Sequence, residues 1–261
     1  MSVYKQLCEP LRAHLEAQNW TPTPIQEVAI EPLLSGQDRV LVAPTGSGKT
    51  EAAVLPILSN CYSQEWGPMS ILYVTPLRAL NRDIDRRLEG LAAVANLEVG
   101  LRHGDTPQSV RNKQSRKPPH LLVTTPETLQ IMLTGKRLRE HLRNVRTIIV
   151  DEVHEVASSE RGSQLLVGIT RVEEMAKRVI QRIGLSATVG NPSEVAHWLS
   201  PERGEAIAAD APRNTEVRIT CSQPEDADEA IALEHNTSPQ AMASLRMLAV
   251  ASKQMHLLSW L

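Results

Sequence analysis

The stretch Ala43-Pro-Thr-Gly-Ser-Gly-Lys-Thr-Glu51 holds residue types at the spacing of a phosphate-cradling loop. Gly46 and Gly48 let the backbone turn successive N–H groups toward phosphate oxygens. Lys49 brings a positive charge to the outer phosphates, and Thr50 brings a hydroxyl to magnesium. Thr45 and Ser47 complete the loop. The pattern departs from its general form at one point, Ala43, where a glycine usually stands. Roughly 100 residues further on, Asp151-Glu152 follows the apolar run Thr-Ile-Ile-Val. Adjacent carboxylates are costly unless a cation or a reaction explains them. Asp151 is expected to hold magnesium through water, and Glu152 to orient and deprotonate an attacking water. Loop and acid pair together point to hydrolysis of a nucleoside triphosphate. His154 and Glu155 find no partner at metal-ligand spacing.

These residues must be carried by elements that end at the right places. Runs 39–44, 70–76, 97–103, 120–126, 147–152 and 182–188 are short, mostly apolar and rich in Val, Ile and Leu. They suit strands buried on both faces of a parallel sheet. Helix-like segments lie between them. Leu77, Leu80, Ile84, Leu88 and Leu91 share one face in the stretch 76–96, and a second helix is expected over 162–178. The alternation predicts an α/β fold: a mainly parallel central sheet flanked by helices on both faces. In such folds ligands bind beyond the carboxyl ends of the strands, where the loop and the acid pair sit.

Bulk properties narrow the class. The chain has 261 residues, 41% of them apolar, and a net charge of -2. It has no apolar run near the ~20 residues of a membrane helix, and its start lacks the apolar core of a secretion signal. Cys8, Cys61 and Cys221 have neither even pairing nor metal spacing, which suits a reducing, cytoplasmic setting. Residues 102–146 hold ten Lys or Arg against three acids, whereas 202–234 hold three Arg against nine acids. The first region could meet phosphates; the same charges also suit a solvated helix face. Composition shifts near Ser200-Pro201, so 1–200 reads as one domain and 201–261 as a linker with the incomplete start of a second.

Further motifs appear in a telling order. Trp-Thr-Pro-Thr-Pro-Ile-Gln (20–26) precedes the phosphate loop, and Thr-Pro-Leu-Arg-Ala-Leu (75–80) and Thr-Thr-Pro-Glu-Thr-Leu (124–129) lie between loop and acid pair. Leu-Ser-Ala-Thr-Val-Gly (185–190) follows. With these the chain resembles superfamily 2 helicases of the DEAH/DEVH kind, and within them the large helicase-related (Lhr) proteins, with Ski2-like helicases next in line. The resemblance covers about residues 20–200. It implies a RecA-like domain in which Gln26 hydrogen-bonds adenine and Trp20 packs near the base. It implies nucleic-acid contact at Thr75, Pro76, Arg78, His103, Thr125, Pro126 and Glu127. His154, Ser186, Ala187 and Thr188 would couple ATP state to strand separation. Taken singly, the two Thr-Pro segments also read as helix caps.

The implied activity is ATP- and Mg2+-dependent 3′-to-5′ movement along single-stranded or partly duplex nucleic acid, with DNA or DNA–RNA hybrids favoured and repair as the setting. A second RecA-like domain, with a Gln-x-x-Gly-Arg-x-Gly-Arg-type motif, is the expected partner. No such string occurs here, so the chain alone is expected to hydrolyse ATP slowly and not to unwind. The competing reading is a standalone nucleotide-gated module that binds nucleic acid or protein.

Overall fold

The structure, a computed structural model, describes residues 2–76, 81–157, 159–187 and 189–209. They belong to the first of two compact units, Met1–Ala211; the second, Pro212–Leu261, lies outside the described residues, and with it most of the expected linker segment.

Seven strands form the sheet: β1 (Arg39–Val42), β2 (Ile71–Val74), β3 (Val99–Arg102), β4 (Leu121–Thr124), β5 (Thr147–Val150), β6 (Gln181–Ser186) and β7 (Glu205–Ala208). Their order is β3-β4-β2-β5-β6-β1-β7, and every pair is parallel. The first six fall within the six apolar runs to within a residue. The seventh, Glu-Ala-Ile-Ala, carries a weaker signal. It pairs with β1 through Arg39↔Glu205 to Val42↔Ala208, so the sheet continues past Ser200-Pro201.

Because side chains alternate along a strand, the sheet has two apolar faces. Leu41, Ile71, Tyr73, Leu121, Val123, Ile149 and Ile183 point to one. There they meet α1 (Glu9–Ala17), α2 (Pro24–Leu34), α3 (Lys49–Ser63) and α4 (Asn81–Val94). Val40, Val42, Leu72, Val74, Leu122, Ile148 and Val150 point to the other. That face is covered by α6 (Pro126–Thr134), α7 (Lys136–His141), α8 (Val153–Ala157), α9 (Glu160–Ala176) and α10 (Pro192–Leu199). The short α5 (Gln108–Arg116) follows β3. Strands buried on both sides explain the unbroken apolar runs. Among the described residues no helix is long and apolar enough to cross a membrane.

All strands run the same way, so the segments that follow them gather at one edge. The strand order then divides that edge. Residues after β3, β4 and β2 occupy one half; those after β5, β6 and β1 occupy the other.

Candidate active site

The loop after β1 turns through two glycines in the left-handed region, Gly46 at φ 77° and Gly48 at φ 86°. A side chain is strained at either position. At Gly48 it is also crowded out, because a Cβ would lie 2.5 Å from Gln26 Nε2. Lys49 starts α3, and its Nζ donates to the carbonyls of Ala43 at 2.6 Å and Pro44 at 2.9 Å. Burial lowers the lysine pKa, and the carboxylates of Glu152 and Asp151 oppose that shift. The ammonium thus faces both acids, although β6 lies between β1 and β5.

Asp151 is buried at the end of β5. Its Oδ1 accepts from Glu152 N–H at 2.9 Å, and its Oδ2 accepts from the Tyr73 hydroxyl at 2.7 Å. Burial raises its pKa, while the Tyr73 and Glu152 hydrogen bonds and Lys49 hold it down. Glu152 is raised too, by burial first and by Asp151 second. Its backbone is left-handed at φ 43°, uncommon for a residue with a side chain. Beyond it, His154 Nδ1 lies 3.5 Å from Glu152 Oε2 and 3.1 Å from Ser186 Oγ. The segment after β5 and the end of β6 are therefore joined by side chains. Ala187 follows Ser186; Thr188 lies outside the described residues.

Gln26 lies on α2, buried beside the loop. Its Oε1 accepts from the Tyr4 hydroxyl at 2.7 Å and from Thr23 N–H at 3.0 Å, and its Nε2 donates to Gly48 O at 3.2 Å. Both carbonyl lone pairs are engaged, so the amide has one N–H left to offer. The two-way pairing expected with an adenine edge is reduced to one donated bond. Trp20 is 42% exposed.

On the other half, the expected contacts are mostly covered. Thr75, Pro76, Thr125 and Pro126 are buried. The Thr125 hydroxyl caps α6, accepting from Thr128 N–H at 3.3 Å, so the capping reading of that segment holds. Glu127 is exposed and pairs with Arg161 Nε at 2.7 Å. Arg161, at the start of α9, also donates to the carbonyl of Pro76 at 3.3 Å. It therefore ties together the segments after β2 and β4, a role that nothing in its sequence neighbourhood signals. His103 Nδ1 accepts from Asp105 N–H at 3.1 Å, fixing the turn after β3. Arg78 lies outside the described residues.

The buried oxygens Ser47 Oγ, Thr75 Oγ1 and Thr124 Oγ1 have no hydrogen-bond partner among the described residues. Such orphans are uncommon in native proteins and suit surfaces built to take a polar ligand. The donor set around the loop fits a phosphate with its cation: left-handed glycines, an ammonium, a hydroxyl at Thr50 and a carboxylate at Asp151.

A phosphate loop and an acid pair at the carboxyl edge of an all-parallel sheet define a phosphate-loop nucleotide-binding domain. The chain belongs to the DEAD/DEAH box helicase family, whose model matches residues 23–195. It is 40% identical over 221 residues to the "Lhr helicase/uracil glycosylase" of Escherichia coli, covering 76% of this chain and 14% of that protein. It is also 40% identical to the "ATP-dependent helicase Lhr-Core" of Sulfolobus acidocaldarius, across 72% of this chain and 23% of that one. The fold superposes on the Mycobacterium smegmatis helicase Lhr bound to ssDNA and AMP-PNP with a TM-score of 0.73 at 38% identity. That match covers 81% of this chain and 28% of the other. The chain thus spans a quarter or less of the curated relatives described here.

Proposed function

We propose that the chain is the first RecA-like domain of an Lhr-type ATP-dependent helicase, acting in the cytoplasm. The observation that carries this reading is the meeting of Lys49, Asp151 and Glu152 across β6. A cation for phosphate and two carboxylates of raised pKa share one edge of the sheet. Magnesium, when bound with ATP, supplies charge stabilisation at the phosphates.

The protein's own groups do the rest. The N–H groups of Thr45 to Thr50 line the phosphates, and Lys49 leaves the Ala43 and Pro44 carbonyls to meet them. Thr50 and Asp151 hold the metal, and Glu152 takes the proton of the attacking water. Gln26 donates its remaining N–H to the base. His154 and Ser186 sense the state of Glu152. Nucleic acid crosses the half of the edge built on β3, β4 and β2. The relative bound to ssDNA supports that class of partner. Most Thr-Pro side chains there are buried, so contact falls to backbone amides, Arg78 and Arg161. Movement 3′-to-5′, on DNA or a DNA–RNA hybrid, depends on a second RecA-like domain that supplies the arginine for turnover.

The test is ATP turnover with and without a single strand. Turnover of the 261-residue chain is expected to be slow, because such an arginine is worth roughly 10³–10⁵ in rate. Lys49→Ala abolishes it, and Glu152→Gln retains nucleotide binding while turnover falls. Unchanged turnover in Lys49→Ala would sink the assignment of the loop.

A further inference from the structure

Tyr73 sits in the middle of β2 with no exposed surface. A buried phenol needs a partner for its hydroxyl. This one donates to Asp151 Oδ2 at 2.7 Å. One hydroxyl on β2 therefore holds the side chain that follows the neighbouring strand β5. Asp151 is read above as holding magnesium through water. Asp151 Oδ1 is fixed separately by Glu152 N–H at 2.9 Å. Each carboxylate oxygen thus gives one lone pair to a fixed donor and keeps another to offer.

We propose that Tyr73 is a positioning residue for the metal: its hydroxyl sets the direction in which Asp151 presents its carboxylate to a hydrated divalent cation. This rests on the ATP and magnesium reading of the same site. Groups that orient metal ligands from behind typically change metal affinity 10–100-fold when removed.

Tyr73→Phe removes the hydroxyl and keeps the ring packing. Two quantities are measured on the 261-residue chain. One is the affinity for a fluorescent ADP analogue in Mg2+ and in EDTA. The other is Mn2+ binding in the presence of ADP, followed by electron paramagnetic resonance. Affinity in EDTA is expected to match wild type, while the gain from Mg2+ and the Mn2+ affinity both fall by about tenfold. Tyr73→Leu is expected to share that metal defect and to lose thermal stability as well. Wild-type metal dependence in Tyr73→Phe overturns the positioning role, whatever its melting temperature. A wild-type chain that binds no ADP analogue would overturn the ATP reading itself, and this inference with it.

Discussion

Glu152 holds a left-handed backbone at φ 43°, a conformation that costs a residue with a Cβ about 1–2 kcal/mol. The strain is tied to function, because the same turn delivers its N–H to Asp151 Oδ1. Two variants separate the strain from the carboxylate. Glu152→Ala and Glu152→Gly both lose the carboxylate, so turnover should fall about 10²-fold or more in each. Glycine relieves the strain and alanine keeps it. Chemical denaturation is therefore expected to find Glu152→Gly more stable by roughly 1 kcal/mol. Equal stabilities would show that the turn is unstrained. At this scale the sequence was legible where chemistry demands rare residue types. Gly46, Gly48, Lys49 and the acid pair stand out by spacing alone. Tyr4 and Tyr73 did not, because a tyrosine inside an apolar segment looks like core until its hydroxyl finds a partner.

At the level of elements, the tie between the segments after β2 and β4 is the main surprise. Arg161 on α9 reaches Glu127 and the Pro76 carbonyl. Burial raises the Glu127 pKa, but the hydrogen bond and charge of Arg161 help outweigh it and hold the carboxyl below 4.5. A depressed folded pKa means a contribution present above the ordinary value and lost as pH falls through the folded one. Both side chains are almost half exposed, so water limits the pair to less than about 1 kcal/mol. Thermal melts of Glu127→Gln should show a small deficit near neutral pH that shrinks as the pH drops below 4.5. A deficit that is constant down to strongly acid pH would show that the charge of Glu127 is irrelevant. Strands β1, β2, β4, β5 and β6 were readable because burial on both faces leaves mostly apolar runs; β3, at one edge and only partly buried, carried a weaker one. Strand β7 was not readable, since at the sheet edge it is only partly buried.

Across the whole molecule, the strand order gathers Lys49, Asp151, Glu152 and Ser186 on β5, β6 and β1 and sets the segments after β3, β4 and β2 apart; on the proposed function these take the nucleic-acid strand. That division cannot be read from chain order, in which the two sets of motifs are interleaved. It makes the two affinities separable. Arg161→Ala is expected to weaken single-strand binding about fivefold and to lower its salt slope by up to about 0.7, the value of one phosphate contact. Affinity for ADP should stay unchanged, as titrations of both ligands would show. A fall in ADP affinity without one in strand affinity would reverse the assignment of the halves. One strand nevertheless serves both. Tyr73 lies in β2, and Thr75 follows the strand's last residue, two positions further on. The first grips Asp151; the second opens the segment that Arg161 secures. Whatever pulls on that segment pulls on a residue bolted to the catalytic acid through about 7 Å of stiff backbone. On the proposed function no relay of intermediaries is required: cargo and fuel would be reported on the same short rod.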